Sequence, residues 1–513
     1  GADEDFESIK KCFTSLGLKV LDPFIDYSAL EVLNVLPSLS NFDDYDCLVV
    51  IIITHYEKYG QLMTKKGFYY ENEIIDIFKG DKCRGLVTKP KIFLLQSSKC
   101  QQLKTDSKPK GNTEEDSSGE PVFFTLPTEA DILALRSSYE GGPSHLPADS
   151  GSWAVQKLCE KLQGLTGETL LEDALLSFLS EVAHNREKTN ILSQVDYKYL
   201  PEITSTMTQP VYFKNSSLKS DHKQNDSLNR TLSPDPASFS FIPGFLPPRD
   251  GTDIDADRLK LCFDSLGFEV IRENDLTKLE VFTILTSAKD FSDDTCVAVV
   301  VLTHGVQGHL GTFDIPITEE ELYAPFSDKI HPDLIGKPKF FFLQVCRGDT
   351  ATVGSSVMPI QYDETHIIGD EERAMTTSDS IKEGRLETDA GPTIVPDAGK
   401  AIPQEVVKTM AVPLDENDML VFHSTYAGTP SHRHTESGSW FIQNLCEVLQ
   451  SKTQPFSFVQ ALSEVQRNVA INESENIKNE LHKQMPVISS TLTKSMMVVP
   501  KLMQNIIPNP ANK

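Results

Sequence analysis

Two apolar runs in the second half of this 513-residue chain end in residues that can do chemistry. VAVVVLTHG carries His304 at its end, and FFFLQVCRG carries Cys346. A thiolate attacks carbonyl carbon readily, and an imidazole can take the thiol proton and return it to a leaving group. Residue types alone leave a plain alternative open, a buried thiol and a hydrogen-bonded imidazole with no reaction to perform.

Such residues need elements to hold them. Leu48–Thr54 and Val297–Thr303 are continuous β-branched or apolar runs, the pattern of strands covered on both faces. Ile92–Gln96 and Phe340–Gln344 are shorter runs of the same kind. In α/β sheets, functional groups collect at the carboxyl ends of strands. SGSWFIQNLCEVLQ opens on small polar capping residues and then turns helical. Strands alternating with helices predict an α/β sandwich, a mostly parallel central sheet flanked by helices.

The pattern is written twice. KKCFTSLGLKV around Cys12 matches KLCFDSLGFEV around Cys262, and DYDCLVVIIITH matches DDTCVAVVVLTH. GLVTKPKIFLLQ matches DLIGKPKFFFLQ, and SGSWAVQKLCEKL matches SGSWFIQNLCEVL. Two copies at so long a period mean domain duplication, not a solenoid. The expected units are residues 1–215 and 238–513, joined by a polar linker over 216–237. Residues 349–411 mix Gly, Ser, Thr and acidic residues without periodicity, and read as a mobile insert directly after Cys346.

Composition narrows the partners. A formal net charge of −26 opposes nucleic acid and anionic membranes, which need a basic surface. No apolar run reaches the roughly 18 residues of a membrane helix. The acidic start GADEDFESIKK is not a signal peptide, and without an initiator Met it reads as a fragment or processed form. Nine cysteines, with no CxxC pair or Cys/His cluster, read as reduced protein of the cytoplasm that needs no metal or cofactor.

THG followed by QVCRG, together with RDGTDIDADRLKLCFDSLGF, GKPKFFFLQVCRGD, HSTYAGTPSHRHTESGSW and KQMPVISSTLTK, resembles the caspase family of cysteine proteases. The resemblance implies an endopeptidase that cuts proteins after aspartate, in apoptosis or related proteolytic signalling. It makes Cys346 the nucleophile, His304 the general base and acid, and the amides of Gly305 and Cys346 the oxyanion hole. A side chain at Gly305 would crowd the tetrahedral intermediate. Arg249, Arg433 and Gln344 would form the pocket for the substrate aspartate, with His432 and Trp440 beside it. Activation would cut the insert after Asp389, in RLETDAG, or Asp397, in IVPDAGK.

In the first copy the same positions are altered. His55 remains, but Tyr56 replaces the glycine, Ser98 the nucleophile and Leu146 a clamp arginine. The resemblance therefore implies a pseudoprotease that pairs with its active neighbour through final strands, expected at Gln209–Phe213 and Lys494–Val499. Other caspases or adaptor proteins are further implied partners. SPDPASFSFIPGFLPPRDG offers no apolar first strand before Arg249. Two alternatives stand beside this reading. One is a non-catalytic decoy or scaffold. The other is a metacaspase-like enzyme cutting after Arg or Lys, whose acidic pocket the two arginines oppose.

Overall fold

The computed structural model describes residues 2–39, 42–56, 61–99, 125–136, 152–165, 169–184, 201–213, 231–232, 249–287, 291–306, 308–348, 352–356, 386–388, 418–475 and 481–500. The first copy supplies β1 (Leu48–Tyr56), β2 (Gln61–Met63), β3 (Phe68–Tyr70), β4 (Lys91–Lys99), β5 (Ile132–Arg136) and β6 (Glu202–Ser205). The second supplies β7 (Val297–Leu302), β8 (Lys339–Gln344), β9 (Met419–His423) and β10 (Val487–Ser490). These form one ten-stranded sheet in the order β3-β2-β1-β4-β5-β6-β10-β9-β8-β7. β1, β4 and β5 run parallel, as do β7, β8 and β9. β6 and β10 run antiparallel to their own copies and to each other, with Ser489 opposite Thr204.

The three consecutive phenylalanines of β8 explain the layers. Side chains alternate faces along a strand, so an unbroken apolar run needs cover on both sides. Phe340 and Phe342 pack with α4 (Thr252–Leu266), α5 (Trp440–Ser451) and α6 (Phe458–Ile471), through residues such as Phe263, Phe441 and Phe458. Phe341 and Leu343 enter a cluster on the other face with Leu322, Tyr323 and Phe326. The first copy repeats the arrangement. Ile92 and Leu94 join residues of α1 (Ala2–Ser15), α2 (Trp153–Gln163) and α3 (Leu171–His184), while Phe93 and Leu95 join Ile74, Ile75 and Phe78. That last cluster also contains Tyr426, Ala470, Met485 and Val487 of the second copy, so the two copies share a core.

β1 and β7 pack on both faces, as expected, but only by half: Val297, Val299 and Val301 meet one cluster and Ala298, Val300 and Leu302 the other, and β7 is the edge of the sheet. An edge strand can still read as a continuous apolar run when its inner neighbour is the true centre. Three expectations need correction. The strands that join the copies are β6 and β10, not Gln209–Phe213 and Lys494–Val499. Val211 and Phe213 are committed to the first copy's helical core, and Val498 to the second's. The insert is not structureless throughout. Thr352–Ser356 pairs antiparallel with Thr125–Pro127 of the first copy, and Leu386–Thr388 pairs with His432–His434. Within the expected linker, Thr231–Leu232 pairs with Ser474–Glu475. Residues 233–248, where a first strand was sought, lie outside the described residues. Among the described residues no helix is long and apolar enough to cross a membrane.

One buried amide joins the copies where their strands meet. Gln466 Nε2, on α6, donates to the Ser205 carbonyl at 2.7 Å and to the Pro486 carbonyl at 3.1 Å. Gln466→Leu keeps the volume but leaves two buried carbonyls without that donor, a loss of about 1–3 kcal/mol. Thermal unfolding of the full chain should shift to lower temperature by a matching few degrees. An unchanged midpoint would show that the bond contributes nothing.

Candidate active site

The site of the second copy begins where its ladder stops. The last paired residues of β7 and β8 are Leu302 and Gln344. Beyond them the chain leaves the sheet, and His304 and Cys346 sit in the connections, both buried. Gly305 starts a short hairpin with Leu310 opposite it. A Cβ at Gly305 would meet the His309 carbonyl at 2.8 Å and the Cys346 carbonyl at 3.1 Å. Glycine is thus demanded by the resting packing itself, a reason independent of any intermediate.

Cys346 lies under a cover of polar groups. The Ser431 amide donates to its sulfur at 3.0 Å. Burial pushes the thiol up to about 12, against the Ser431 amide and the nearby Arg249 and Arg433, which favour the thiolate. The arginines come from different elements. Arg249 precedes α4, and its guanidinium donates to Thr252 Oγ1 at 3.1 Å. Burial pushes it down to about 10, with Cys346 and Asp255 opposing, which still leaves it charged at neutral pH. Arg433 is wholly buried on the strand His432–His434, and its Nε donates to the Asp250 carbonyl at 2.7 Å. Gln344 Nε2 donates to Ser431 Oγ at 2.8 Å, tying the residue two before the cysteine to the loop above it.

Asp255, which the sequence reading passed over, assembles this pair. Both its carboxylate oxygens accept from the Ser439 amide at 3.0 Å. Ser439 pairs with Arg433 in the ladder and accepts from the Ile442 amide to cap α5. Burial pushes the Asp255 carboxyl up to about 6, opposed by Ser439, Arg258 and Arg249. The signal was in the repeat: Asp5 takes the same role, accepting from the Ser152 amide at 2.6 Å.

His432 packs its ring on Trp440, with centroids 4.7 Å apart, and its amide donates to Gln484 Oε1 at 2.7 Å. Burial, with His482 adding to it, pushes the imidazole down to about 3, so it is neutral in the physiological range. Behind Cys346, Glu319 and His423 form a buried pair at 2.9 Å, also missed from sequence. Burial opposes the Glu319 charge, but His423, Arg347 and the Tyr323 hydroxyl outweigh it and keep the carboxylate ionised. The first copy places Glu71 and Arg136 at the same positions, with Arg136 Nε to Glu71 Oε2 at 2.9 Å.

A cavity of about 1690 Å³ reaches His304 and Arg249. It follows the outer flank of β7, between Phe263, Val270 and Met496, and neither Cys346 nor Arg433 lines it. We therefore read it as the uncovered side of an edge strand, which touches the site at one end.

The first copy differs at the strand ends. Its ladder continues through the corresponding positions, with His55 opposite Ser98 and Tyr56 opposite Lys99. Backbone there is committed to strand pairing. Leu146, Asp389 and Asp397 lie outside the described residues.

Fold and site together define an α/β protein in two similar units, one of which gathers a thiol, an imidazole and two arginines beyond its strand ends. The sequence profile of the caspase domain matches residues 1–212 and 239–497. The chain belongs to the caspase family of cysteine peptidases. It is 32% identical to Caspase-3 of Mesocricetus auratus over 256 residues, covering 49% of this chain and 77% of that protein. It is 33% identical to Caspase-7 of Gallus gallus over 253 residues, covering 48% and 70%. A solved Caspase-1 from Spodoptera frugiperda matches 49% of this chain and 82% of its own, at 29% identity and a TM-score of 0.35.

The raised thiol pKa has a measurable sign. A raised value keeps Cys346 protonated above the ordinary thiol range near 8.5, so iodoacetamide should label it slowly from about pH 7 to 9.5 in the uncut chain. Arg433→Gln removes a cation that favours the thiolate and should slow labelling further. Peptide-resolved mass spectrometry reads both, and fast labelling at neutral pH would contradict the assignment.

Proposed function

We propose that the second copy is an endopeptidase that cuts proteins after aspartate, in apoptosis or related proteolytic signalling. The first copy, residues 1–215, is its catalytically silent partner, joined to residues 238–513 by the linker. The observation that carries this reading is that Arg249 and Arg433 flank Cys346: Arg249 reaches the Gln344 carbonyl at 3.5 Å, two residues before the thiol, and Arg433 follows by two residues the Ser431 amide that meets the sulfur. Two guanidiniums beside a thiol call for an anionic side chain next to the scissile bond, and each can grip a carboxylate through paired charge-assisted hydrogen bonds. A basic substrate would meet repulsion there, which disfavours cleavage after Arg or Lys.

Cys346 loses its proton to His304, and its sulfur bonds to the scissile carbonyl carbon. The carbonyl electrons move to oxygen, held by the amides of Gly305 and Cys346, one such donor being worth roughly 3–4 kcal/mol of barrier. As the C–N bond breaks, His304 returns the proton to the leaving amine. Water then hydrolyses the thioester and restores the thiol. The buried, protonated state of Cys346 suits an uncut precursor whose groove opens on cleavage after Asp389 or Asp397. In the first copy, Ser98 in place of the thiol and continued pairing at Tyr56 support loss of catalysis.

The same burial also favours a second reading, a non-catalytic scaffold that binds other caspases. An aspartate-based covalent probe separates the two, since only an enzyme is labelled at Cys346. Cys346→Ala should abolish cleavage of a fluorogenic aspartyl peptide, while Ser98→Ala should leave it unchanged. Residual activity in Cys346→Ala would return the first copy to candidacy. Arg433→Ala should lower kcat/KM on that peptide by roughly 30-fold or more. Intact mass of the active protein should report a break after Asp389 or Asp397.

A further inference from the structure

The loop that covers Cys346 is anchored in the first copy. Thr425–Arg433 runs from the end of β9 over the sulfur to the arginine strand. Its turn is bonded in both directions to the residue after the nucleophile: Arg347 N donates to the Thr429 carbonyl, and Gly428 N to the Arg347 carbonyl, each at 3.0 Å. Thr429 closes the turn on the Tyr426 carbonyl, through its amide at 3.2 Å and its hydroxyl at 2.8 Å. Two residues on, the Ser431 amide meets the sulfur. Gly348 and Gly428 touch so closely that a Cβ on Gly348 would overlap the Gly428 backbone. Movement of Tyr426 must therefore move the roof of the thiol.

The Tyr426 side chain leaves its own copy. It is buried in the cluster that contains Ile75, Phe78, Leu126 and Ala130 of the first copy. Lys79 of the first copy stands over its ring, 4.7 Å from the centroid. Lys79 is held from below by Asp76 at 2.8 Å and Glu129 at 3.6 Å. Burial disfavours the ammonium, but its acidic neighbours, Glu129 and Asp76 among them, outweigh that and hold its pKa above the ordinary lysine range. A charged ammonium fixed by two carboxylates is a rigid platform for an aromatic face, and the attraction grows as water is excluded.

We infer that Lys79 is a positioning residue for the reaction of the second copy, acting through Tyr426 to hold the Thr425–Arg433 loop over Cys346. The inference deepens the proposed function and rests on it. It gives the silent copy a definite task, to supply one cation that sets the geometry of its neighbour's site. The loop crosses from the shared core to the sulfur in five residues, so a loose tyrosine translates into a misplaced Ser431 amide and Arg433.

The full chain, cut or uncut as isolated in active form, tests this with a fluorogenic peptide ending in aspartate. Lys79→Met should lower kcat by about tenfold with KM held within about twofold, the pattern of a misaligned site that still binds. Lys79→Arg keeps a cation over the ring and should restore most of the rate. Tyr426→Leu should match Lys79→Met, and the double variant should be no slower than either. Lys79→Met strands two acids, so Lys79→Met with Glu129→Gln provides a form without that buried charge, and its kcat must fall as well. Normal kcat in that form, or losses that multiply in the Lys79→Met, Tyr426→Leu double variant, overturns the inference while leaving the peptidase in place. So does a fall in melting temperature with kcat unchanged. A wild-type chain that neither turns over the peptide nor is labelled by an aspartyl probe overturns both readings.

Discussion

The continuous sheet is the constraint on which everything else depends. β8 is bonded on both edges and buried on both faces, so its side chains have no freedom and no solvent. Chemistry can begin only where the ladder ends. In the second copy it ends at Leu302 and Gln344, and the next residues carry an imidazole and a thiol. In the first copy the same strands run on through Tyr56 and Lys99, and the equivalent backbone is absorbed into pairing. Changing a few residues at a strand end thus alters more than a side chain, because it decides whether the backbone there is available at all.

The charges around Cys346 are held from the segment that opens α4. Arg433 is anchored by the Asp250 carbonyl, its ladder partner Ser439 by Asp255, and Arg249 by Thr252. All three anchors lie within Asp250–Asp255, at or just before the start of α4. One helix terminus therefore sets the spacing of both guanidiniums, which matters because planar groups must meet a carboxylate at fixed geometry.

The two copies are fused in their cores as well as in sequence. β6 pairs with β10, Gln466 bridges them, and Tyr426 sits among first-copy residues. Strand Thr125–Pro127 of the first copy also holds Thr352–Ser356, which follows the nucleophile by a few residues. One copy can then matter to the other by geometry, since loops that leave the sheet in the second copy are packed by the first.

Much was legible in the residues themselves. The duplication, the mixed sheet and the placement of His304 and Cys346 just beyond strand ends follow from apolar runs and repeated motifs, because strand periodicity and strand-end placement are local properties. The family membership followed from the same motifs. What the sequence could not decide was which strand is central and which is an edge, since Val297–Leu302 and Phe340–Gln344 read alike and differ only in their neighbours. Nor could it choose β6 and β10 over the segments that follow them, because Val211, Phe213 and Val498 look equally available until the helical cores claim them. Asp255, Glu319 with His423, and Lys79 with Tyr426 were invisible for one reason: each acts on a partner from about 100 to some 350 residues away. Sequence determined the elements and the reactive groups, and tertiary structure alone decided which charges face one another, because that depends on packing between segments that share no local pattern.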